Sequence, residues 1–325
     1  MSHDSTTSRK RPARPHISIV VPVYNEEQCV EPLIERIESA MAETDCTFDI
    51  LFVDDGSRDA TLEKITRAAE RNPHVLFLSF SRNFGHQVAL YAGIDHARGD
   101  AVVSLDGDLQ HPPELIPTLI EHWRAGYDIV YTVRTDNRGH AVKEFFSRCY
   151  YWLLRKLTGV EVPTGGADFR LIDRTVADAL RACDERFVFI RGLIPWLGFR
   201  RKAVGYEAAP RYGGSTKYAI GKMFAFAFDG VFSFSIVPLR LISLLGLVTT
   251  ALGLLYGAYT VWVRLFSDRA VSGWASLVVV VLVFSGTQLL SLGILSEYVG
   301  RIYEEVKRRP RYVVAARSPA LEGER

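Results

Sequence analysis

Two long uncharged stretches near the end of the chain limit its fold more than any other feature. Leu241 to Val263 covers 23 residues and Ala270 to Ser296 covers 27 residues without a charged side chain. About 20 apolar residues are enough for a helix to cross a bilayer. A buried core helix can be equally apolar, but two such lengths in succession argue against one. Because only residues 264–269 separate the stretches, we predict a tight hairpin of two transmembrane helices.

The charges around these stretches predict their orientation. Arg240 precedes the first stretch, and a basic cluster follows the second: Lys307, Arg308, Arg309 and Arg311. Basic flanks favour the cytoplasmic side of a membrane. The N-terminus carries no apolar segment of the signal-peptide type, so we expect no cleaved signal. We therefore predict a multi-pass protein of the cytoplasmic (inner) membrane with both termini in the cytosol, although the outward loop carries Arg264 and Arg269.

Residues 17–133 alternate between two patterns. Short β-branched runs lie at Ile17–Val23, Phe48–Val53, Val75–Phe80, Ala101–Leu105 and Asp128–Val133, and helical patterns lie near 28–42, 59–71, 86–97 and 113–125. Such alternation predicts an α/β fold with a mostly parallel sheet. A mixed α+β layer is the alternative.

Two aromatic segments with basic flanks stand between the α/β region and the hairpin, at residues 141–157 and 220–234. Amphipathic helices of this kind lie in the headgroup layer of a membrane, although packing against a soluble core is the alternative for each. The net charge of +2 gives no sign of nucleic-acid binding. The four cysteines show no C-x-x-C spacing, so we expect them to be reduced and structural.

The segment Asp106-Gly107-Asp108-Leu109-Gln110 follows the predicted strand Ala101–Leu105 directly. Polar residues that follow a parallel strand stand where binding crevices open. In an extended segment the side chains of Asp106, Asp108 and Gln110 share one face. Three oxygen donors on one face suit Mg²⁺ or Mn²⁺. The alternative is an ordinary acidic turn in solvent.

Other polar motifs follow the first two predicted strands. These are Val21-Pro22-Val23-Tyr24-Asn25-Glu26-Glu27 and Asp54-Asp55-Gly56-Ser57. An acid at this position can accept a hydrogen bond from a ribose hydroxyl or a base N–H. The chain has no Gly-x-Gly-x-x-Gly and no P-loop, so a bound diphosphate needs a metal and cationic side chains instead. Arg211 to Lys217 could supply such cations from a loop, unless it is an ordinary surface turn.

The ordered set of motifs resembles glycosyltransferase family 2. It is most similar to the polyisoprenyl-phosphate glycosyltransferases, which include bactoprenol glucosyltransferases and dolichol-phosphate mannose synthases. Besides the motifs above, the likeness includes Ser81-Arg82-Asn83-Phe84-Gly85-His86-Gln87, Gly165-Gly166-Ala167-Asp168-Phe169-Arg170 and Pro238-Leu239-Arg240. It extends over roughly residues 17–310.

The resemblance implies a GT-A (Rossmann-like) domain and inverting, metal-dependent transfer from a nucleotide sugar to a lipid phosphate. By position, the resemblance implies that the nucleoside is bound by Pro22, Tyr24, Glu26, Asp54 and Asp55, and that the cation is bound by Asp106, Asp108 and Gln110. It implies that Arg134 and Arg148 bind the acceptor phosphate, and that Arg211, Ser215 and Lys217 bind the donor diphosphate. It places Asp168 beside the reacting carbon of the sugar. Many relatives have Ala where this chain has Gly107.

We therefore expect an enzyme that transfers glucose from UDP-glucose to undecaprenyl phosphate for cell-envelope glycans such as lipopolysaccharide, with Mg²⁺ or Mn²⁺ and as a homo-oligomer. GDP-mannose or a UDP-aminosugar is the alternative donor. A processive polysaccharide synthase is a second hypothesis, but the chain lacks Gln-x-x-Arg-Trp. A non-catalytic membrane scaffold is a third. The expected domains are a disordered basic tail (1–15), the GT-A domain (16–218), an interfacial helix (219–236), two transmembrane helices (237–300) and a basic cytoplasmic tail (301–325).

Overall fold

The computed structural model describes residues 11–135, 166–183, 185, 189–206, 237–266 and 273–322. The chain forms two compact units. The sheet unit comprises Met1–Ala219 and Pro310–Arg325, and the hairpin unit comprises Ile220–Arg309. The two interfacial segments, the loop from Arg211 to Lys217, Arg148 and Cys149 all lie outside the described residues.

The sheet unit is a mixed α/β sheet with helices along the chain between its first five strands. The strands are β1 His16–Val23, β2 Thr47–Asp54, β3 Val75–Phe80, β4 Ala101–Ser104, β5 Ile129–Arg134, β6 Gly166–Asp173, β7 Arg201–Tyr206 and β8 Val314–Arg317. The helices are α1 Val30–Ala42, α2 Thr61–Arg71, α3 His86–His96, α4 Ile116–Arg124, α5 Arg174–Ala182 and α6 Ile190–Trp196. The predicted α/β fold is confirmed.

The strand order is β7-β5-β6-β4-β1-β2-β3-β8. The pairs β1–β2, β1–β4, β2–β3 and β5–β7 are parallel, whereas β6 runs antiparallel to β4 and β5, and β8 runs antiparallel to β3. In the β4–β6 register Ser104 lies opposite Arg170. The start of β6 therefore lies beside the end of β4, which brings Asp168 towards Asp106.

The core lies on both faces of the sheet. Ile17, Ile19 and Val21 of β1 belong to one buried cluster with α1 and α4, in which Leu33 and Trp123 are fully buried. Because side chains alternate along a strand, Val20 faces the opposite side. There it meets α3, where a Cβ on Gly93 would lie 2.1 Å from Val20 Cγ1. This close approach seats α3 directly on the sheet and fixes the position of its first residue, His86.

The chain segments at either end of the sheet unit are anchored to it. The guanidinium of Arg11 donates to the carbonyl oxygen of Tyr127 at 2.7 Å and lies 4.7 Å from the ring centre of Trp123. Residues 11–15, expected within a disordered tail, therefore include a specific contact. Downstream of the basic cluster, β8 extends the sheet at the edge of β3. Residues 314–317, expected within a basic tail, are part of the fold.

The hairpin unit consists of two long apolar helices, α7 Val237–Phe266 and α8 Trp274–Val306. Their stretches Val237–Val263 and Val279–Val306 are long and apolar enough to cross a membrane, and neither is buried inside the protein. The helices contact each other where Gly253 faces the ring of Phe284, at 3.0 Å from the position of a Cβ. The predicted pair of apolar C-terminal helices is confirmed, and α8 ends ten residues later than the predicted span.

Candidate active site

Asp106 lies just beyond the end of β4, at the edge where β1 and β2 also end. Its backbone N–H donates to His111 Nδ1 at 3.1 Å, and the buried His111 ring stacks on Phe169. Its Oδ1 atom is buried and has no hydrogen-bond partner among the described residues. Burial raises the pKa of Asp106, and the nearby His111 and His86 offset only part of that effect. Asp106 Oδ1 makes an ion-pair contact with His86 Nε2 at 3.4 Å but no hydrogen bond among the described residues, so it retains acceptor capacity that a cation could use.

The chain turns after Asp106 instead of continuing as an extended segment. Leu109 has a φ of 61°, and the backbone N–H of Gln110 donates to Asp108 Oδ1 at 3.1 Å. The side-chain amide of Gln110 donates to Asp108 Oδ2. The predicted extended geometry of this segment is therefore wrong, because an Asp side chain readily bonds the backbone two residues on and bends the chain. The ligand roles of Asp106, Asp108 and Gln110 stay predictions.

Asp168 is the most heavily bonded acid of the site, with a side chain only 2% exposed. Arg191 donates to both of its oxygens, from Nε at 3.0 Å and from Nη2 at 2.7 Å. Arg170 donates at 2.5 Å, and His86 Nε2 and Gln87 Nε2 each lie 3.3 Å away. Burial alone raises the pKa of Asp168, but the His86 hydrogen bond and the two guanidinium charges outweigh it and hold the pKa well below its ordinary value. The two guanidinium groups and His86 therefore favour the ionised form of Asp168.

His86 connects the two acids. Its Nε2 atom lies 3.4 Å from Asp106 Oδ1 and 3.3 Å from Asp168 Oδ2. Burial lowers the pKa of His86, but the hydrogen bond with Asp168 and the charge of Asp106 raise it by more. One ligand atom from each of these three residues lies within 4.8 Å of the others, so the triad could hold a metal ion. Because the oxygens of Asp168 already accept from two arginines, Asp106 is the member best placed to bind a cation.

The residues predicted to bind a nucleoside lie along the neighbouring strand ends. Tyr24 is 40% exposed. A Cβ on Gly107 would lie 2.6 Å from Val23 Cγ1 and 3.2 Å from the carbonyl oxygen of Pro22, so the motif after β1 touches the motif after β4. The backbone N–H of Glu26 donates to Thr61 Oγ1 at 2.9 Å, which fixes the start of the loop after β1. These contacts place the motif at residues 21–27 beside the motif at residues 106–110.

Asp54 and Asp55 both point into the protein. Asp54 is 1% exposed and accepts from the Ser57 N–H at 3.0 Å and the Ser79 hydroxyl at 2.8 Å. Asp55 is 3% exposed and accepts from two backbone N–H groups. Their first task in this structure is therefore to fix loops at the edge of the sheet, and nucleoside binding by either residue stays a prediction.

Of the residues predicted to bind phosphate, the described one is Arg134, at the exposed end of β5. It lies opposite Tyr206 in the β5–β7 register. Burial raises the pKa of Tyr206, and the charge of Arg134 acts against that rise while Asp106 and Asp108 add to it. Arg134 and the cation-site acids therefore share Tyr206 as a neighbour. Arg148, Arg211, Ser215 and Lys217 lie outside the described residues.

Sequence reasoning assigned no role to Arg191, Arg170, His86 or Gln87, which surround Asp168. His86 and Arg170 occur in motifs quoted for the family resemblance, whereas Arg191 belongs to none of them. His86 is 82 residues from Asp168 along the chain, so no local pattern reveals the contact. The sequence gives one indication of these contacts: the basic residue Arg170 lies two positions after Asp168.

The family model of glycosyl transferase family 2 matches residues 18–181, and the GtrB C-terminal hairpin matches residues 237–302. The chain belongs to glycosyltransferase family 2. This glycosyltransferase is 44% identical over 298 residues to the uncharacterized glycosyltransferase YkcC of Bacillus subtilis, covering 91% of this chain and 92% of the relative. It is 40% identical over 299 residues to the bactoprenol glucosyl transferase of Shigella phage SfII, covering 92% and 97%.

Among solved structures, the glycosyltransferase is similar to glucosyl-3-phosphoglycerate synthase from Mycobacterium tuberculosis in complex with Mn²⁺, uridine-diphosphate-glucose and phosphoglyceric acid. The identity is 20% and the TM-score is 0.45, and the match covers 67% of this chain and 78% of that one.

Proposed function

We propose that this glycosyltransferase transfers a sugar from a nucleotide sugar, with UDP-glucose as the first choice, to a polyprenyl phosphate such as undecaprenyl phosphate. The reaction takes place on the cytoplasmic face of a membrane that α7 and α8 span, with both termini in the cytosol. The observation that carries the proposal is the meeting of Asp106 and Asp168 beside His86, at the sheet edge that also carries the motif after β1. The printed name of the Shigella phage relative and the hairpin match support the acceptor class.

In the proposed reaction a phosphate oxygen of the acceptor attacks the anomeric carbon of the donor. The new C–O bond forms as the bond from that carbon to the diphosphate oxygen of the nucleotide breaks, and the configuration inverts. A phosphate monoester has a second pKa of about 6, so at neutral pH it is mostly a dianion. The nucleophile therefore needs no strong base.

The difficulty of this reaction is electrostatic, because the acceptor and the donor are both anions. Two like charges about 4 Å apart repel each other by roughly 4 kcal/mol at an effective dielectric constant near 20. In our proposal Arg134 and Arg148 bind the acceptor phosphate, and Arg211, Ser215 and Lys217 bind the donor diphosphate. Arginine forks both neutralise and orient phosphate groups.

The acids of the site fit a divalent cation. Asp106 has a buried oxygen without a hydrogen-bond partner among the described residues, and Asp108 supplies a second carboxylate two residues on. Carboxylate oxygens suit Mg²⁺ and Mn²⁺. We propose that Asp106 and Asp108 hold this ion, with Gln110 beside them. When bound, the ion neutralises charge that builds on the departing diphosphate.

Asp168 has a different role in this proposal. Its low pKa and its two arginine partners make it a poor proton acceptor. A fixed carboxylate beside the reacting carbon instead stabilises positive charge on the sugar in the transition state. We therefore propose that Asp168 orients and stabilises the sugar and that it removes no proton.

The decisive experiment supplies the purified full-length chain with radiolabelled UDP-glucose, undecaprenyl phosphate and Mg²⁺ or Mn²⁺. We expect a lipid-extractable product that mild acid hydrolyses. Asp108→Ala should abolish that product, while Asp178→Ala, which changes an exposed acid on α5, should retain it. GDP-mannose and a UDP-aminosugar run in parallel identify the donor. If none of the nucleotide sugars gives a lipid product, the proposal fails and the non-catalytic scaffold hypothesis is favoured. A long polymer as the product would favour the processive polysaccharide synthase.

A second experiment tests the acceptor site. Arg148→Ala should raise the KM for undecaprenyl phosphate more than the KM for the nucleotide sugar, because the arginine is proposed to contact the acceptor only. Arg36→Ala, which removes an arginine bound to Glu114 on the surface, is the control. Equal rises in both KM values for Arg148→Ala would contradict acceptor binding.

A further inference from the structure

Two buried oxygens without a hydrogen-bond partner lie on either side of Asp168. Among the described residues, three buried side-chain oxygens have no such partner: Asp49 Oδ1, Gln87 Oε1 and Asp106 Oδ1. Two of these three belong to the candidate site, since Gln87 Nε2 lies 3.3 Å from Asp168 Oδ2 and His86 joins Asp106 to the same carboxylate. Buried polar atoms of folded proteins nearly always have a partner. The pair therefore marks a place where a ligand supplies a cation or a hydrogen-bond donor.

The orientation of the Gln87 amide follows from its neighbour. Arg191 and Arg170 both donate to the carboxylate of Asp168, which therefore acts as an acceptor. Only the nitrogen of an amide side chain can donate to such a group, so Nε2 faces Asp168 and Oε1 does not. Gln87 is the second residue of α3, the helix that is seated directly on the sheet. Its amide oxygen is thus held in one place and has no partner among the described residues.

The chemistry of this oxygen selects the kind of ligand group that can pair with it. An amide oxygen accepts hydrogen bonds and cannot donate them. The diphosphate of a nucleotide sugar has acceptor oxygens, and the lipid phosphate is mostly a dianion, so neither supplies the missing donor. Hydroxyl groups of the transferred sugar supply one, as do the ribose and the base. Because Asp168 is proposed to lie beside the reacting carbon, the transferred sugar is the group expected next to the Gln87 amide.

We infer that Gln87 is a specificity-determining residue, whose Oε1 atom accepts a hydrogen bond from one hydroxyl group of the transferred sugar. This inference rests on the proposed function. It gives the two unpaired oxygens different ligands, since Asp106 binds the cation and Gln87 binds the neutral sugar. A sugar without that hydroxyl group leaves the amide oxygen unpaired, and a site of this kind discriminates strongly against such a substrate.

The first test uses the wild type and UDP-glucose analogues in which one hydroxyl group of the glucose is replaced by hydrogen. Calorimetry in the presence of Mn²⁺ measures their binding without sugar transfer. We expect one analogue to bind about tenfold or more weakly than UDP-glucose. If every analogue binds as tightly as UDP-glucose, the inference fails.

The second test is Gln87→Met, which keeps a side chain of similar length and removes the amide. UDP-glucose should bind about tenfold or more weakly to this variant, whereas the affinity for UDP, which has no glucose, should change less than about threefold. Equal losses for both ligands would show that Gln87 contacts the nucleotide and would overturn the inference. The matched control is Asn72→Leu, because the Asn72 amide also donates to a carboxylate, that of Glu38, at 2.6 Å. It should leave both affinities unchanged.

A double-mutant cycle between protein and ligand identifies the contact itself. The analogue that the wild type binds weakly should lose less than about twofold relative to UDP-glucose in Gln87→Met. Loss of the N–H group that faces Asp168 affects UDP-glucose and the analogue alike, so it cancels in this ratio. Gln87→Lys, which keeps N–H donors but has no acceptor oxygen, should give the same result and serves if Gln87→Met does not fold. An undiminished loss in the variants means that another residue binds that hydroxyl group, and the inference fails.

The glycolipid assay separates this inference from the proposed function. If the wild type makes no glycolipid with undecaprenyl phosphate but the cycle gives the expected result, the proposed lipid acceptor is wrong and the sugar contact stands. If glycolipid forms and the cycle shows no coupling, the inference alone is wrong.

Discussion

Arg191 donates two parallel hydrogen bonds to the carboxylate of Asp168, at 3.0 Å and 2.7 Å. The two residues lie 23 positions apart in the chain and on different elements. Arg191 is the second residue of α6, and Asp168 is the third residue of β6. Arg170 binds the same carboxylate from within β6. Two guanidinium groups thus hold one buried carboxylate in one orientation, and the fork of Arg191 sets its plane.

The first prediction concerns Arg191→Lys. A lysine keeps the charge but cannot make two parallel bonds, so the plane of the Asp168 carboxylate is no longer fixed. We expect kcat to fall by about tenfold or more, because misplacement of a group at the reacting carbon is costly. Steady-state kinetics of the glycolipid assay measures this. Arg36→Lys, which alters an equally bidentate pair with exposed Glu114, should leave kcat unchanged, and comparable losses in the two variants would contradict the orienting role.

The second prediction concerns metal binding by Asp106. Asp106→Asn removes the charge around the buried Oδ1 atom and should weaken Mn²⁺ binding by about tenfold or more. Electron paramagnetic resonance of free Mn²⁺ measures this directly, without sugar transfer. EDTA should abolish transfer by the wild type, and added Mg²⁺ or Mn²⁺ should restore it. Asp178→Asn is the control on α5, and unchanged Mn²⁺ affinity in Asp106→Asn would remove this residue from the ligand set.

The third prediction concerns Gly107, which lies between Asp106 and Asp108. A Cβ at this position would lie 2.6 Å from Cγ1 of the buried Val23. Gly107→Ala therefore overpacks the contact between the motif at residues 106–110 and the motif at residues 21–27. We expect a loss of about 1–3 kcal/mol in stability. Thermal unfolding of the single and double variants measures it. In the background of Val23→Ala, which removes the clashing methyl group, Gly107→Ala should cost less, and an equal cost in both backgrounds would rule out this contact as the cause.

The sequence was sufficient to predict the first five strands and their helices. Those strands are β-branched runs, and α1 shows a helical period with Val30, Leu33, Ile37 and Met41 buried. The sequence pattern did not predict β6, β7 and β8. These strands form by pairing with strands that lie far away along the chain, which a local pattern does not show. In particular, β8 pairs Arg317 with Leu78, a partner that no local signal indicates.

The same contrast holds for the candidate site. The motifs correctly indicated that Asp106 and the residues after β1 meet at one edge, because parallel strands end together. The bend at Leu109 could not be predicted, since it depends on which hydrogen bond Asp108 makes. The contacts of Asp168 with Arg191 and His86 join distant parts of the chain, so only the folded arrangement reveals that this acid has a depressed pKa.

The fourth prediction concerns β8, which covers the edge of β3. Ser318, the residue after β8, connects this strand to β3 by two hydrogen bonds. Its hydroxyl accepts from the Phe77 N–H at 2.8 Å, and its own N–H donates to the Phe77 carbonyl at 2.9 Å. A stop after Arg311 removes the strand and leaves the β3 edge open, which lowers stability and promotes aggregation. We expect Tm to fall by about 4 °C or more. Arg317→Ala, which retains the backbone bonds, should behave as the wild type in thermal unfolding and light scattering, and a truncated protein of unchanged Tm would contradict the prediction.

The fifth prediction concerns the pH dependence of stability near His16, at the start of β1. His16 Nε2 lies 3.2 Å from Asp49 Oδ2, and Nδ1 lies 3.0 Å from Thr47 Oγ1 on β2. The hydrogen bond with Asp49 raises the pKa of His16 by more than burial lowers it, with Asp100 adding to the rise and Arg174 opposing it. Because the folded pKa is the higher one, the contribution to stability is complete below the unfolded value of about 6.5 and disappears as pH rises through the folded value. The Tm difference between the wild type and His16→Gln should therefore shrink from pH 5.5 to pH 8.5, and a difference that grows with pH would show that neutral His16 makes the stronger contact.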